Sequence, residues 1–214
     1  MAIASKLMTI GVVVFSLAIG IVTFYIFSQA PKDQKGHYIG ELVSQMVNFV
    51  IFMWIGKVLL HFSIFVTDPL AILAYPSDSS AFYFAVLCIA FLLLYKSSKR
   101  KIDILGVIGA FLPVFLIASF TYSFIQLVWN HHTYAFGQLI LLMILAAAWL
   151  GMPERLLVRT QIFLLLTGWT AGVLLLYVFQ PYVTVFGYIV TPWFVGLFYI
   201  ISVVITLWNR KERE

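Results

Sequence analysis

Lys57 and His61 are the residues of this chain whose types and spacing most directly suggest chemistry. Both lie in the apolar run from Leu42 to Val66, and Lys57 is the one charged side chain that falls well inside a predicted hydrophobic segment. Residues four apart in a helix lie one above the other on the same face. A helix here would therefore align the ammonium group with the imidazole, which makes both residues candidates for binding an anion or for moving a proton.

The depth of Lys57 decides how it is interpreted. If one helix continues to Val66, Lys57 lies nine residues before its end, which is about 13 Å at 1.5 Å per residue and beyond the comfortable reach of a lysine stem. A cation so deep in a membrane costs about 2.5–3.5 kcal/mol unless it faces protein, water or a counter-charge. We therefore expect Lys57 to face the bundle interior, and a lysine paired only for packing is the alternative. The polar groups expected within its reach are His61, Asn48, Asp68 and Tyr83.

Composition indicates a polytopic membrane protein. Of 214 residues, 63% are apolar and only 10% are charged, whereas soluble domains carry about 25% charged residues. The single cysteine, Cys88, excludes an intrachain disulfide and a cysteine-rich metal site. The basic residues lie in short segments beside the apolar runs. The net charge of +5 therefore indicates orientation in a membrane and not a nucleic-acid-binding surface. The sequence predicts no cofactor.

The hydropathy pattern predicts an all-α bundle of seven transmembrane helices in a single domain. The spans cover residues 7–27, 42–66, 81–95, 104–128, 135–151, 160–179 and 188–208. The first span could be taken for a signal peptide, because Ser28-Gln29-Ala30 imitates a cleavage site. Its length and the distribution of charge favour a retained helix. In the sixth span, Gly168 and Gly172 form a GxxxG pattern, which we expect to serve close packing within the chain.

The basic residues predict an extracytoplasmic N-terminus and a cytoplasmic C-terminus. With seven spans, the loops and terminus on one side hold eleven of the thirteen Lys and Arg residues, the other side holds Lys6, and Lys57 is intramembrane. Basic residues concentrate on the cytoplasmic side of membrane proteins. Four polar residues then fall on the outer side: Asp68, Asp78, His131 and His132. An outward-facing polar cavity above His61 and Lys57 is therefore expected.

Several short motifs follow one another in a recognisable order from Gly56 onward. Gly56-Lys57-Val58 stands late in a span, Asp68-Pro69-Leu70 comes after it, and the basic segment Lys96–Lys101 precedes a span that contains Pro113. This order resembles that of prolipoprotein diacylglyceryl transferase, the bacterial membrane enzyme that moves a diacylglyceryl group from phosphatidylglycerol to a lipoprotein cysteine. The resemblance implies seven spans, the same orientation and a place in the bacterial cytoplasmic membrane.

The chain departs from that family at the positions that perform the transfer. Where the family has a glycine-rich motif with a catalytic histidine, this chain reads Asp78 to Ala85, with Tyr83 at the place of the histidine. The arginine that binds the headgroup in the family would fall near Thr121–Gln126, and neither that span nor the sixth contains an arginine. Transfer needs a cation for the phosphate and a group that activates the thiol. Only Lys57, with His61 or Tyr83, could take these roles.

Three functions follow from these observations. The first is a relative of the transferase, without its activity, that binds a phospholipid headgroup or a lipid-anchored partner in an outward-facing cavity. The second is a membrane transferase of altered chemistry that uses Lys57, His61 or Tyr83, with His61 and Tyr83 as the candidate catalytic groups. The third is a small transporter or a partner in membrane-complex assembly. The candidate ligand-binding residues are Lys57, His61, Asp68, Asp78, Tyr83 and Asn48. The adjacent His131 and His132 could contribute half of a metal site.

Overall fold

The computed structural model describes residues 2–68, 78–99, 103–130, 135–153 and 155–211. Within these residues the regular secondary structure is helical apart from one short hairpin. The elements in order are α1 (Ala2–Phe27), α2 (Lys32–Leu60), α3 (Phe62–Thr67), α4 (Ser79–Ser98), α5 (Ile104–Asn130), α6 (Ala135–Leu150), α7 (Val158–Phe179), β1 (Val183–Val185), β2 (Tyr188–Val190) and α8 (Pro192–Lys211).

Five of these helices are long and apolar enough to cross a membrane. They are α1, α2, α4, α5 and α7, as judged from length and composition over the described residues. The apolar parts of the other two long elements, α6 and α8, are shorter. At 1.5 Å per residue, the 16 residues of α6 cover about 24 Å, less than a typical hydrocarbon core of about 30 Å. The helices indicate a membrane protein.

The chain divides into two compact units. One comprises Met1–Ile39 with Leu105–Glu214, and the other comprises Gly40–Ile104. Within the first unit, α6 packs against α7 and α7 packs against α8. The helix α1 approaches α5 closely at Gly20, where an added Cβ would lie 2.6 Å from the carbonyl oxygen of Val114. Only a residue without a side chain fits at such a crossing.

The GxxxG pattern of α7 serves packing within the chain, as expected from the sequence. A Cβ at Gly168 would lie 2.8 Å from Leu145 Cδ2, and a Cβ at Gly172 would overlap the side chain of Leu141. Both leucines belong to α6. The two glycines therefore form the surface on which α6 lies, because small residues allow helix backbones to approach closely in membranes.

The last helix begins at Pro192, not at Tyr188 as the sequence predicted, because Tyr188–Val190 is a β-strand. It pairs antiparallel with Val183–Val185. Phe186 and Gly187 connect the strands with φ values of +49° and +88°, the backbone of a tight hairpin turn whose two central residues both have positive φ. Val, Thr, Tyr and Ile favour strands, and a short apolar run does not distinguish a strand from a helix start.

The predicted span 42–66 is also corrected, because it contains two helices rather than one. The helix α2 ends at Leu60, and His61 leaves the helical region with φ −119° and ψ 39°. The backbone N–H of His61 still donates to the carbonyl of Lys57, and that of Phe65 donates to the carbonyl of His61, each at 3.1 Å. The chain therefore bends at His61 while most of its hydrogen bonding continues.

The start of α2 likewise differs from the prediction, because the helix begins at Lys32 instead of Leu42. Lys35, which was expected in a loop, is buried and donates from Nζ to the carbonyl oxygen of Tyr25 at 2.9 Å. This carbonyl lies in the last turn of α1, where helix carbonyls lack partners and a cation is favourable. Lys35 thus caps α1 across a connection of only four residues, 28–31.

Candidate functional site

The site lies in the unit Gly40–Ile104, where α2 and α4 pack as an antiparallel pair. At one end of the pair, Lys96 Nζ donates to the carboxylate of Glu41. At the other end, His61 Nε2 lies 3.6 Å from Asp78 Oδ2. Residues that follow one another along α2 therefore contact residues of α4 in the reverse order. This arrangement brings the C-terminal end of α2, where Lys57 stands, beside the N-terminal end of α4.

Gly56 sets the distance between the two helices next to Lys57. A Cβ at Gly56 would lie 2.8 Å from Phe84 Cδ1 and 3.3 Å from both Phe84 Cβ and Cγ, whereas carbon atoms in ordinary contact are about 3.5–4.0 Å apart. The ring of Phe84 thus packs directly on the backbone of α2. Because Gly56 precedes Lys57, this contact holds the lysine at a fixed position along α4.

Lys57 is buried, with 5% of its surface exposed, although three neighbouring apolar residues on α2 are exposed. Those neighbours are Trp54 (46%), Ile55 (42%) and Leu59 (57%). Its Nζ lies 5.5 Å from the centroid of the Trp54 ring, within the range in which a cation is attracted by the face of an aromatic ring. As expected from the cost of a cation in hydrocarbon, the lysine does not face outward.

The bend at His61 changes the distance of Lys57 from the end of its helix. The 13 Å expected from the sequence assumed a single helix to Val66, whereas α2 ends at Leu60, three residues after Lys57. Three residues of helix are about 4.5 Å long, a distance that a lysine stem spans easily. Lys57 is thus buried near the C-terminal end of α2, and its stem is long enough to reach that end.

Asp78 uses its two carboxylate oxygens for different contacts. Oδ1 accepts a hydrogen bond of 3.0 Å from the backbone N–H of Ala81 and so caps the first turn of α4. Oδ2 faces His61 at 3.6 Å, a charge contact when the imidazole is protonated. A carboxylate is stabilised at a helix N-terminus by the free N–H groups and by the helix dipole. This cap also explains why α4 begins at Ser79, two residues before the predicted span.

Asn48 belongs to a different cluster from Lys57. The two residues lie nine positions apart in one helix, which places them about 13 Å apart and on opposite sides of it. Asn48 Nδ2 lies 3.4 Å from Gln45 Oε1, and Gln45 Nε2 donates to Glu41 Oε1 at 2.6 Å. Together with Lys96, these residues form a polar run at the end of the pair opposite His61. The sequence prediction did not include this polar cluster, although the polar residues at positions 41, 45 and 48 of an otherwise apolar segment were a signal for it.

The structure describes two further candidates, Tyr83 and Asp68. Tyr83 on α4 is half-buried, and its ring lies 6.2 Å from that of Phe82 in an edge-to-face contact. Asp68 ends α3, where its backbone N–H donates to the carbonyl of Ile64 at 2.8 Å. Pro69 and Leu70 lie outside the described residues, as do His131 and His132. Among the residues that the structure describes, no three His, Cys, Asp or Glu side chains form a group that could hold a metal ion.

Comparisons with protein-family models, with curated proteins and with solved structures each find no match for this chain. Any functional conclusion therefore depends on the geometry of Lys57, His61 and Asp78 and on the sequence pattern around them.

Proposed function

We propose that this chain is a seven-span protein of the bacterial cytoplasmic membrane that binds the phosphate of an anionic phospholipid headgroup at Lys57, on its outer side, without diacylglyceryl transfer activity. The observation that carries the proposal is the position of Lys57, which is buried three residues before the end of α2. A phosphate at the membrane interface can meet an ammonium group there, and lysine binds phosphate well as a point charge.

The neighbours of Lys57 suit an anion. The Trp54 ring covers one side of the ammonium group at 5.5 Å, which limits its contact with water and strengthens its attraction for a negative ligand. The Asp78 carboxylate would oppose such a ligand, but it is held by the Ala81 N–H and faces His61.

Seven spans and an external N-terminus are supported by the alternation of basic segments and by the seven apolar helices of 16 residues or more among the described residues. The bilayer can adjust to the short α6 by local thinning. In a Cys88→Ala background, single cysteines at Ser79 and Thr133 should react with an impermeant thiol reagent in intact cells, and cysteines at Ser98 and Lys211 should not. The reverse pattern would refute the orientation.

Diacylglyceryl transfer should be absent or very slow. Tyr83 replaces the histidine of the transferase family that the chain resembles, and no arginine occurs in α5. Loss of a positioned acid or base typically lowers a rate about 10²–10⁴-fold, and loss of electrostatic stabilisation lowers it a further 10²–10³-fold. Purified protein with phosphatidylglycerol and a lipobox peptide should form no thioether product, and robust product formation would overturn this part of the proposal.

The third function, transport, receives less support from α2. A transport path along this helix needs polar groups that follow one face, whereas Asn48 and Lys57 occupy opposite sides. The second function, a transferase of altered chemistry, is favoured by one observation, the His61–Asp78 pair at 3.6 Å. A carboxylate beside a histidine is one element of a general-base site, although 3.6 Å is longer than a hydrogen bond. Conversion of a phospholipid by the wild type, lost in His61→Gln, would support that function.

The test of lipid binding is retention of phospholipid during purification in mild detergent, measured by mass spectrometry of the extracted lipid. Lys57→Met keeps the stem and removes the charge, so it should lose the bound anionic lipid, and Lys57→Arg should keep it. Lys99→Met is a matched control, because Lys99 also lies over an aromatic ring, at 5.9 Å from Tyr95, but is exposed. Equal retention by the Lys57→Met and Lys99→Met variants would refute the proposal.

A further inference from the structure

An open apolar cleft adjoins Lys57 on the surface of α2. It has a volume of about 240 Å³ and is lined by Trp54, Ile55, Val58 and Leu59. These residues stand at neighbouring positions of two successive helical turns, so the cleft runs along the helix for about 7.5 Å. Among the described residues, no charged side chain lines it. The cleft ends at the level of Leu60, where α2 itself ends.

Trp54 connects the cleft to the lysine. One Trp54 side chain both lines the cleft and lies 5.5 Å from the ammonium group of Lys57. The positive charge and the apolar groove thus flank the same indole ring. A ligand that contacts both would need an anionic group joined to a flexible apolar chain.

We propose that the cleft holds a segment of one acyl chain of the phospholipid whose phosphate meets Lys57, so that the site selects an intact anionic phospholipid and not a soluble phosphate. This inference rests on the proposed function and adds the part of the ligand that the headgroup contact leaves undefined. Charge complementarity at Lys57 and the apolar lining of the cleft argue for this occupant. The surrounding bilayer supplies such lipids at high local concentration.

The cleft acts by orienting the lipid rather than by attracting it. Acyl chains in a bilayer are already in an apolar environment, so entering the cleft brings no gain from leaving water. A chain held beside Trp54 instead places its phosphate at the end of α2, which reduces the ordering cost of the headgroup contact. Selectivity should therefore come from Lys57, and the cleft should determine where the chain lies.

Brominated acyl chains test this placement, because bromine quenches the fluorescence of a tryptophan that it touches. The wild type and Trp54→Phe would be placed in phosphatidylcholine nanodiscs with a minor fraction of chain-brominated phosphatidylglycerol or chain-brominated phosphatidylcholine. The difference between the two proteins reports Trp54 alone among the six tryptophans. The anionic lipid should quench Trp54 about fivefold more effectively, the enrichment that one basic residue produces near a membrane surface. Lys57→Met should abolish this difference.

Val58→Phe supplies a second arm, because the larger side chain fills the cleft and leaves Lys57 and Trp54 in place. It should lower the quenching by the brominated anionic lipid and also weaken the retention of phospholipid, because the cleft reduces the ordering cost of the headgroup contact. Val47→Phe is the matched control, since Val47 is exposed on the same helix outside the cleft, and it should change neither result. Added glycerol phosphate should not displace the lipid.

The outcomes separate this inference from the proposed function. If phospholipid is retained through Lys57 but the anionic and zwitterionic brominated lipids quench Trp54 equally, the chain does not lie in the cleft and the inference is wrong. Unchanged quenching in Val58→Phe would overturn it as well. If no phospholipid is retained and Lys57→Met has no effect, the proposed function itself fails.

Discussion

Substituting Gly56 by alanine should weaken the pair of helices that carries the candidate site. The new methyl group would lie 2.8 Å from Phe84 Cδ1 and 3.3 Å from Phe84 Cβ, about 0.2–1.2 Å inside ordinary contact. Rotation of the ring can relieve the first contact but not the second, because Cβ is fixed to α4. Forcing one extra methyl group into such a contact costs about 1–3 kcal/mol.

The control for Gly56→Ala is Gly40→Ala in the same helix. Apart from the local helix backbone, no atom of the described residues lies within 4 Å of a Cβ built at Gly40. This change should therefore stabilise the protein by about 0.8–1.0 kcal/mol through helix propensity alone. Both variants gain the same helix propensity. The difference between their free energies of unfolding therefore gives the cost of the contact with Phe84, about 1–3 kcal/mol. Reversible unfolding in mixed micelles, followed by circular dichroism, measures both. If the two variants agree within about 0.5 kcal/mol, α2 and α4 do not meet at Gly56 as described.

Two further predictions concern packing in each unit. The side chains of Glu41 and Lys96 are 14% and 24% exposed, so their ion pair is intermediate between a buried and a surface pair. A double-mutant cycle with Glu41→Gln and Lys96→Met should therefore give a coupling energy of about 1–3 kcal/mol. A coupling energy near zero would contradict the ion pair. In the other unit, Gly172→Ala should destabilise the protein by about 1–3 kcal/mol because its Cβ would overlap Leu141. In Gly196→Ala the new methyl group meets no described atom within 4 Å beyond its local helix backbone, so this variant should not be destabilised. Equal stability of these two variants would exclude the contact between Gly172 and Leu141.

The sequence was sufficient for those features that depend on local hydropathy and small residues. The apolar runs identified the long helices because a membrane span must satisfy its backbone within the segment. The GxxxG pattern of α7 identified a close contact, since glycine removes the side chain that would separate two helices. Burial of Lys57 followed from the cost of exposing a cation to hydrocarbon.

The features that the sequence did not predict depend on tertiary contacts or on ambiguous short runs. Residues 188–190 have an apolar character that fits a helix start and a strand equally well, and Phe186 at φ +49° is an unusual residue for a tight turn. No proline or glycine marks the bend at His61. The sequence placed Lys35 in a loop, because its hydrogen-bond partner, the Tyr25 carbonyl, belongs to another helix. Backbone carbonyls carry no sequence signal.

The two ends of the α2–α4 pair have complementary roles. The Glu41–Lys96 ion pair fixes the register of one helix against the other at the end remote from His61. A slip by one helical turn would move α2 by about 5.4 Å, more than the 3.6 Å that now separates His61 from Asp78. Such a slip would also carry Lys57 away from its position beside the start of α4. The remote ion pair therefore helps to position the cation that we propose binds lipid. The stability of that pair should influence lipid retention, although Glu41 and Lys96 lie at the end of the two helices remote from His61.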